Sequence, residues 1–476
     1  MKSTLSRAIM FRTASLFVAI SFFASASAAP PNYQDHVLPI LKKHCLNCHN
    51  ADEAEADLDL STLKTLQAGS SGGKVVVAGS PSKSSLFLAV NHDESVAAMP
   101  PESPKIPAAQ IKLMSDWIAG GMLASAGAKS QLRDVSFAVS VGSMKRPDKP
   151  AFPTNLPKQP SVKTNTPPPV VALATSPWAN VVAASGHRQV VLYGAAAEEE
   201  GAGWNLLGAL PFPDGDIHDI RFSRNGELLV VAGGIGAQSG KVAVFDVATG
   251  KRIATLADEY DVVLSADISS DHQFVAIGTP KRMIKIFSTK DGSLLHRIKK
   301  HTDWVTVVRF SPDGKQLASA DRNGGIHVWE TGSGGIVYTL DEHKVKINAL
   351  SWRGDGKYLA SGAEDGTFVL WDMKDGWATR SVNAHIEKSE TRYSRHTGVL
   401  DIDFAANGHI LTTGRDRKIR LWKSDGGGKM RSEAIGSLPL NAEFVGGSTS
   451  AIVATMDGTI TRWDLTKMKV LDQLAE

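Results

Sequence analysis

From about residue 170 onward, short runs of alternating apolar and polar residues recur along the chain. Seven of them share an ending with an aromatic residue: QVVLYG (189–194), KVAVFD (241–246), MIKIFS (283–288), GIHVWE (325–330), TFVLWD (367–372), KIRLWK (418–423) and TITRWD (459–464). Alternation of this kind predicts β-strands. Turn sequences such as Asn225-Gly226 and Asn407-Gly408 separate the strands. The second half is therefore expected to be all-β.

The aromatic positions of these runs recur with a period close to 42 residues. They are Tyr193, Phe245, Phe287, Trp329, Trp371, Trp422 and Trp463, with spacings of 52, 42, 42, 42, 51 and 41. Such a period is typical of propeller blades and predicts seven blades over 170–476, with insertions around 198–204 and 386–394. The first unit contains four strands from Val170, and the last one ends with the strand 469–474, so a shared closing strand is not evident. The alternating segment 134–141 is another source of a closing strand.

Residues before 130 follow a helical period instead. Apolar residues between Tyr33 and Lys43 predict a short amphipathic helix. A second helix is predicted after Pro107, with Met114 and Trp117 on its apolar face, and it ends at Gly120-Gly121. We therefore expect a small all-α domain over residues 29–125. Between it and the propeller, residues 126–169 are rich in proline and predict a semi-rigid, extended linker.

The first 28 residues have the order of a secretory signal. A basic segment precedes an apolar stretch around 14–23 and the small residues Ala26-Ser27-Ala28. The apolar stretch is short for a membrane anchor, so we expect cleavage after Ala28, a periplasmic location and no membrane span afterwards. The whole chain carries 52 basic and 49 acidic residues, a charge of +3. Three of the basic residues lie in the signal, so the mature chain is neutral, which argues against a nucleic-acid partner.

Both cysteines of the chain lie in Cys45-Leu46-Asn47-Cys48-His49. C-x-x-C-H is the attachment signature of c-type haem, in which the thiols bond the haem vinyl groups and the histidine binds iron. A zinc site made by these three residues with His44 or His36 is an alternative, as are a redox-active pair and a simple disulfide. The exported context and the absence of other cysteines favour a single covalent haem c.

The sixth ligand of the haem iron is open among several side chains. Met99 lies in Ala98-Met99-Pro100-Pro101, where two prolines stiffen the loop that presents the thioether. His92 and His44 are the alternatives, and Met122 is a further candidate. Met114 is expected in the hydrophobic core, because it lies on the apolar helix face.

These elements together resemble the planctomycete-type cytochrome c domains. The resemblance rests on Val37–Leu41, the C-x-x-C-H sequence, Leu58–Leu63, Gly72-Gly73, Ala78–Pro81, Ser85-Leu86, Met99–Pro101 and Trp117–Gly121, which occur in this order over residues 33–124. It implies haem binding and electron transfer, with His49 as the proximal ligand and Met99 as the distal one. His44 beside the first cysteine departs from the pattern.

The repeats resemble the WD-repeat family over all seven units. Its polar tetrad of His, Ser or Thr, Asp and Trp is matched by His343, Ser361, Asp365 and Trp371, by His396, Thr412, Asp416 and Trp422, and partly by His301, Ser319 and Trp329 with Asn323 at the Asp position. Such tetrads are structural, because buried polar groups need hydrogen-bond partners. None of these histidines is expected to be catalytic.

The two domains together favour an electron-transfer protein whose propeller docks a redox partner protein or protein complex. The alternatives are a scaffold protein with an accessory or sensory haem, and a subunit of a periplasmic oxidoreductase complex. We identify no nucleophile set or paired carboxylates on the propeller loops, so the sequence favours an electron carrier over an enzyme.

Basic residues on one set of propeller loops indicate where a partner would dock. They are Arg188, Lys281, Arg282, Arg322, Arg415, Arg417 and Lys418, with Lys299, Lys300, Arg392 and Arg395 on neighbouring loops. We call these residues the basic rim, and it suits an acidic partner. A mixed surface is the alternative, because Glu364 and Asp365 are neighbours.

Overall fold

A computed structural model describes residues 30–71, 73, 75–126, 128, 146–158, 166–195, 203–386 and 396–475. The signal segment, the 134–141 strand, and Arg392 and Arg395 of the basic rim lie outside these residues. The chain divides into two compact units, Met1–Gln131 and Leu132–Glu476. Within the described residues, no helix combines the length and the hydropathy needed to cross a membrane.

The first unit contains four short α-helices and no sheet among its described residues. A π-helical turn, Tyr33–Val37, leads into α1, Leu38–His44, and then follow α2, Leu63–Ala68, α3, Ser85–Val90, and α4, Ala108–Ala119. Both predicted helices are therefore present, and α4 ends at Gly120 as expected. Met114 is fully buried, as its place on the apolar face predicted.

The core of this unit closes around an aromatic pair. The Tyr33 and Trp117 rings lie 6.0 Å apart between centroids. The Tyr33 hydroxyl donates to the Leu60 carbonyl at 3.0 Å, and the Trp117 indole donates to the Leu123 carbonyl at 3.0 Å. Each buried ring thus has a partner for its polar atom, which is how Tyr and Trp are accommodated in a core. These bonds fix Leu60 to the π-helical turn and Leu123 to α4.

The second unit is a seven-bladed β-propeller in which every blade is a four-stranded antiparallel sheet of consecutive strands. In chain order the strands are β1 Leu173–Thr175, β2 Val181–Gly186, β3 Gln189–Gly194, β4 Asn205–Pro211, β5 Asp216–Phe222, β6 Leu228–Ile235, β7 Ser239–Asp246, β8 Arg252–Glu259, β9 Ser265–Ile268, β10 Phe274–Thr279, β11 Met283–Ser288, β12 Leu294–Ile298, β13 Val305–Phe310, β14 Gln316–Asp321, β15 Ile326–Glu330, β16 Ile336–Leu340, β17 Ile347–Trp352, β18 Tyr358–Ala363, β19 Thr367–Asp372, β20 Trp377–Asn383, β21 Val399–Phe404, β22 Ile410–Gly414, β23 Lys418–Trp422, β24 Lys429–Ala434, β25 Pro439–Phe444, β26 Ser450–Thr455, β27 Ile460–Asp464 and β28 Lys469–Ala475. Each of the seven recurring runs in the sequence forms the third strand of a blade.

The ring closes without exchanging a strand between its first and last blades. Blade one consists of β1–β4 and blade seven of β25–β28. Side chains join them instead: the Glu443 carboxylate accepts from the Thr175 backbone N–H at 2.8 Å, and the Asn441 amide donates to the Val170 carbonyl at 3.2 Å. Closure therefore rests on packing and hydrogen bonds between complete blades.

Part of the proline-rich region packs on the propeller. Leu156 is 8% exposed and belongs to the apolar core of blades one and two. The Pro157 carbonyl accepts from the Ala209 N–H at 2.9 Å. Glycine at 208 allows this approach, since a Cβ there would lie 2.3 Å from the Cβ of Leu156. We call residues 146–158 the pre-propeller segment. It contains no helix or strand, and it is anchored on the propeller.

Each of the three polar tetrads departs from the prediction at one residue. In blade four, His301 bonds Asp321 at 2.9 Å and Ser319 at 2.7 Å, so Asp321 takes the place predicted for Asn323. Asp321 ends β14 and reaches the histidine, whereas the Asn323 amide donates to the Thr302 hydroxyl.

The second correction concerns blade six, where His385 replaces the predicted His396. The His385 ring bonds Asp416 and Thr412, each at 2.8 Å, and Trp422 donates to Thr412 at 2.9 Å. His385 lies directly after β20, where its N–H donates to the Gly366 carbonyl at 2.8 Å. The histidine therefore precedes the insertion.

Blade five matches the expected tetrad only in part. His343 and Trp371 both bond the Ser361 hydroxyl at 2.8 Å. The Asp365 carboxylate accepts instead from the N–H and hydroxyl of Thr367.

Candidate functional site

The C-x-x-C-H residues form a tight turn at the end of α1. Cys45 caps α1, with its N–H bonded to the Leu41 carbonyl at 2.8 Å. The Cys45 carbonyl then accepts from the N–H groups of Cys48 at 3.3 Å and His49 at 3.0 Å. This turn places the two thiols and the imidazole within one turn of backbone.

Backbone contacts fix the loop that follows. The Glu55 N–H donates to the Cys48 carbonyl, and the Leu60 N–H donates to the His49 carbonyl, each at 3.0 Å. The Asn50 side chain accepts from the N–H groups of Asp52 and Glu53. The attachment sequence is thus held to a loop whose far end reaches the buried Leu60.

A hydrogen bond through one ring nitrogen orients the His49 side chain. Its Nδ1 lies 3.0 Å from the Glu55 carbonyl oxygen. A carbonyl only accepts, so Nδ1 carries the proton and donates, which leaves the lone pair of Nε2 free. Ligating histidines are commonly oriented by such a bond through the other ring nitrogen. The Glu55 carbonyl is a positioning group that the sequence alone did not reveal.

The two thiols also suit covalent attachment. Cys45 and Cys48 are free rather than disulfide-bonded, and both are partly buried. Burial raises the pKa of the Cys45 thiol to about 11. With the free Nε2 of His49, these residues fit a haem: two thiols for its vinyl groups and one nitrogen for its iron.

Among the candidates for the sixth iron ligand, His92 and Met99 lie close together, and His44 is hydrogen-bonded elsewhere. His44 Nε2 bonds the Gln110 side chain of α4 at 3.1 Å, and is thereby engaged. His92 and Met99 lie together at the end of α3, because both backbone N–H groups donate to the Ala89 carbonyl, at 3.1 and 3.0 Å. The buried Nε2 of His92 has no hydrogen-bond partner among the described residues.

The residues of the zinc alternative do not assemble in the described structure. His36 Nδ1 accepts from the Asn32 N–H at 3.2 Å, and His44 bonds Gln110. Within the described ranges, no three His, Cys, Asp or Glu side chains converge as a metal-binding group.

The basic rim of the propeller is a mixed surface in which cations lie against aromatic rings. The Arg322 guanidinium lies 5.3 Å from the centroid of the Trp304 ring, and the Lys281 ammonium lies 5.7 Å from that of Tyr260. Trp304 and Tyr260 are 45% and 66% exposed. Arg415 instead pairs with Glu364 at 2.8 Å. The surface therefore offers exposed aromatic–cation pairs in blades three and four.

The channel of the propeller holds charged side chains that sequence reasoning missed. They lie on the innermost strands of the blades and include Asp219 and Arg221 of β5, Asp267 of β9, Arg309 of β13, Asp401 and Asp403 of β21, and Glu443 of β25. Charged residues in the first strands of blades two, three, four, six and seven were the available signal.

Comparison with known families agrees with both parts of the chain. Residues 45–103 match the family model described as Planctomycete cytochrome C. Residues 292–330, 334–372 and 387–423 match the model of the WD domain, G-beta repeat. A search of curated proteins returns no match. The chain thus contains a region that matches planctomycete cytochrome c, at 45–103, and a seven-bladed β-propeller in which three repeats between residues 292 and 423 match the WD family.

Proposed function

We propose that the protein is an exported monohaem c-type cytochrome that transfers electrons, with its propeller serving as the docking module for a redox partner protein. Cys45 and Cys48 hold the haem covalently, His49 binds its iron, and Met99 is the sixth ligand. The observation that carries this proposal is the His49 ring, whose Nδ1 donates to the Glu55 carbonyl at 3.0 Å, so that the lone pair lies on Nε2. The haem would supply one-electron chemistry at a potential set by its axial ligands.

Haem staining after denaturing electrophoresis tests covalent attachment. The protein, produced in an exporting host with haem-maturation machinery, should retain haem peroxidase stain, and the C45A/C48A double variant should lose it. A C45A single variant should retain one thioether bond at most, visible by mass spectrometry. Stain that persists in the double variant would refute attachment at these residues.

Export is tested on the same material. The N-terminus of the protein recovered from the periplasm should begin at Ala29, as read by mass spectrometry, because the small residues before it form a cleavage site. An intact N-terminus beginning at Met1 would contradict the proposal.

Docking through the propeller is supported by the exposed aromatic–cation pairs of the basic rim, since aromatic residues and Arg are enriched where proteins bind one another. The test is stopped-flow electron transfer between the haem and an acidic periplasmic cytochrome of the host. Replacing Lys281, Arg282, Arg415 and Arg417 together should slow the second-order rate and flatten its dependence on salt. Replacing Lys429, Arg431, Lys467 and Lys469 on other strands and loops gives an equal charge change as the control.

An unchanged salt dependence in the rim variant would contradict docking at this surface. A haem that exchanges electrons with no periplasmic cytochrome, while the propeller still binds a partner in the C45A/C48A variant, would favour a scaffold protein with an accessory haem.

A further inference from the structure

The loop that follows the attachment sequence has an unusual backbone conformation. We call residues 50–60 the proximal loop, because it adjoins His49. Within it, Ala54, Ala56 and Asp57 have φ angles of 36°, 58° and 55°. This left-handed region favours glycine, and residues with a side chain remain in it only where the surrounding structure holds them there. The proximal loop is therefore strained and needs contacts that keep it in place.

The strained residues flank the carbonyl group that orients His49. Glu55 lies between Ala54 and Ala56, and its carbonyl oxygen accepts from His49 Nδ1 at 3.0 Å. The Glu55 N–H donates to the Cys48 carbonyl, also at 3.0 Å. The Glu55 carbonyl and the Ala56 N–H share one peptide plane, so the φ angle of Ala56 contributes to the direction of this carbonyl. The strain thus lies where the bond to Nδ1 is made.

Two hydrogen bonds to Leu60 fix the far end of the proximal loop. The Leu60 N–H donates to the His49 carbonyl at 3.0 Å, and the Leu60 carbonyl accepts from the Tyr33 hydroxyl at 3.0 Å. Leu60 is fully buried. This one residue therefore connects the backbone of His49 to the side chain of Tyr33.

Tyr33 is a firmly held donor for this contact. Its side chain is buried against the Trp117 ring, and its N–H donates to the Leu123 carbonyl at 2.7 Å. Burial, together with the nearby Asp59 carboxylate, raises the pKa of Tyr33 to about 12. The hydroxyl therefore keeps its proton at neutral pH and donates to Leu60.

Loss of the Tyr33 hydroxyl would leave the buried Leu60 carbonyl without this donor, which is unfavourable. The far end of the proximal loop would then be less firmly held, and the strain in the loop would favour its relaxation away from His49. A hydrogen bond to the outer nitrogen of a ligating histidine raises the basicity of the ligand. Hydrogen bonding around a haem is in turn one of the factors that set its reduction potential.

We propose that Tyr33 is a positioning residue for His49. Its hydroxyl holds the proximal loop in the strained conformation in which the Glu55 carbonyl accepts from Nδ1. The bond makes Nε2 a stronger electron donor to iron and so lowers the reduction potential of the haem. This inference rests on the proposed function, because the potential exists only when a haem is bound.

The Y33F variant tests the contact, since it keeps the aromatic ring and removes only the hydroxyl. In the full-length, haem-loaded protein, a redox titration should show a higher potential than wild type. Hydrogen–deuterium exchange read by mass spectrometry should be about tenfold faster in the peptide that contains Leu60. W117F is the control, because it removes the indole bond to the Leu123 carbonyl in the same core and should leave the potential unchanged.

A pair of variants at Ala56 tests the strained conformation without touching the core, since this residue is exposed. A β-branched residue is strongly disfavoured at φ 58°, whereas glycine adopts this angle readily. A56V should therefore raise the potential in the same direction as Y33F, and A56G should keep the wild-type value. A purely structural role of the loop predicts no change of potential for either variant.

The haem stain separates a failure of this inference from a failure of the proposed function. Absence of covalent haem in the wild-type protein would refute both. Stained Y33F and A56V proteins with the wild-type potential would refute only the role of Tyr33 and the proximal loop. An equal rise of potential in W117F, or a rise in Y33F without faster exchange at Leu60, would show that the haem responds by another route. If Y33F does not fold, the comparison of A56V with A56G decides.

Discussion

At the scale of single residues, the potential of the proposed haem depends on its sixth ligand. His92 and Met99 both bond the Ala89 carbonyl through their backbone N–H groups, so either side chain is available near the same helix end. A thioether ligand raises the reduction potential relative to a second histidine. Ligand identity therefore decides which partners can give or take an electron.

Paired variants at these two positions distinguish the ligands. M99A should abolish the sulfur-to-iron charge-transfer band of the oxidised protein and lower its potential, because the iron loses a thioether. H92A should leave the band intact. Optical spectroscopy with a redox titration measures both, and M122A, which removes a core methionine, is the control. A band that is absent from the wild-type protein, or one that survives M99A and disappears in M122A, would exclude Met99 as the ligand.

A second residue-scale prediction concerns the tetrads. The Ser361 hydroxyl lies 2.8 Å from both His343 Nε2 and Trp371 Nε1, and all three residues are buried. S361A leaves two buried polar atoms without this partner and should lower the free energy of unfolding by about 2–3 kcal/mol. S381A, on the exposed strand β20 of the same blade, should change it by less than about 0.5 kcal/mol. Urea unfolding followed by tryptophan fluorescence measures both, and equal effects would contradict the structural role.

The tetrads also show how far single residues can be predicted. The serine or threonine and the tryptophan of each tetrad were predicted correctly, because both lie on strands at fixed positions of the repeat. The histidine of blade six was assigned to His396 instead of His385, since it lies outside the strands, next to an insertion. Asp321 was missed because it acts from two residues before the expected position. The repeat pattern predicts the tetrad residues that lie on regular strands. The identity of the tetrad residues in loops depends on the conformation of each loop.

At the scale of elements, the blades and the helices followed from periodicity. The two predicted helices of the first unit and all seven third strands are where the sequence placed them. Docking of the pre-propeller segment could not be read from its prolines. It depends on a match between Leu156 and a surface that opens only where Gly208 and Gly250 lack side chains. This packing joins residues that are far apart in the sequence, so no local sequence pattern predicts it.

The anchoring of this segment gives an element-scale prediction. Leu156 is packed in the core of blades one and two, so L156A should release the pre-propeller segment and lower stability by about 2–3 kcal/mol. Limited proteolysis should then cleave within residues 146–158 several-fold faster than in wild type. L295A, which truncates an exposed leucine of blade three, is the matched control. Unchanged cleavage in L156A would show that the segment is held by its hydrogen bond to Ala209 instead.

At the scale of the whole molecule, the propeller closes as a ring and places its innermost strands around one channel. Arg221 of blade two reaches Glu443 of blade seven, and Arg309 of blade four reaches Asp219 of blade two. The sequence predicted seven blades and complete first and last units. It did not predict the charge cluster, because residues 222 positions apart become neighbours only when the ring is closed.

Burial of Asp401 and Asp403 in that channel makes the stability of the propeller depend on pH. The folded-state pKa values of Asp401 and Asp403, about 6 and 7, lie above the ordinary value of 3.8. Between about pH 4 and 7 the unfolded chain has released these protons while the folded chain retains them. Unfolding then releases protons, and this contribution to stability is lost as the pH rises through the folded pKa values.

The buried His327 gives the stability the opposite dependence on pH. Burial and the nearby His301 lower the pKa of His327 to about 4, so the unfolded chain binds a proton there more readily. Stability from this group falls as the pH drops from about 6.5 to 4. The pH dependence of stability in the wild-type protein therefore combines two opposing effects. Only a comparison with a variant isolates the contribution of Asp401 and Asp403.

The D401N/D403N variant provides that comparison, since His327 and the other histidines are the same in both proteins and cancel in the difference. Asparagine does not titrate, so the stability of the variant relative to wild type should rise between pH 5 and pH 8, by on the order of 1 kcal/mol or more. Thermal unfolding at the two pH values measures this, and D425N, which changes an exposed carboxylate of the same blade, should show no such rise. A difference that is constant with pH would mean that Asp401 and Asp403 are ionised throughout this range, with their charge already balanced by the arginines of the channel.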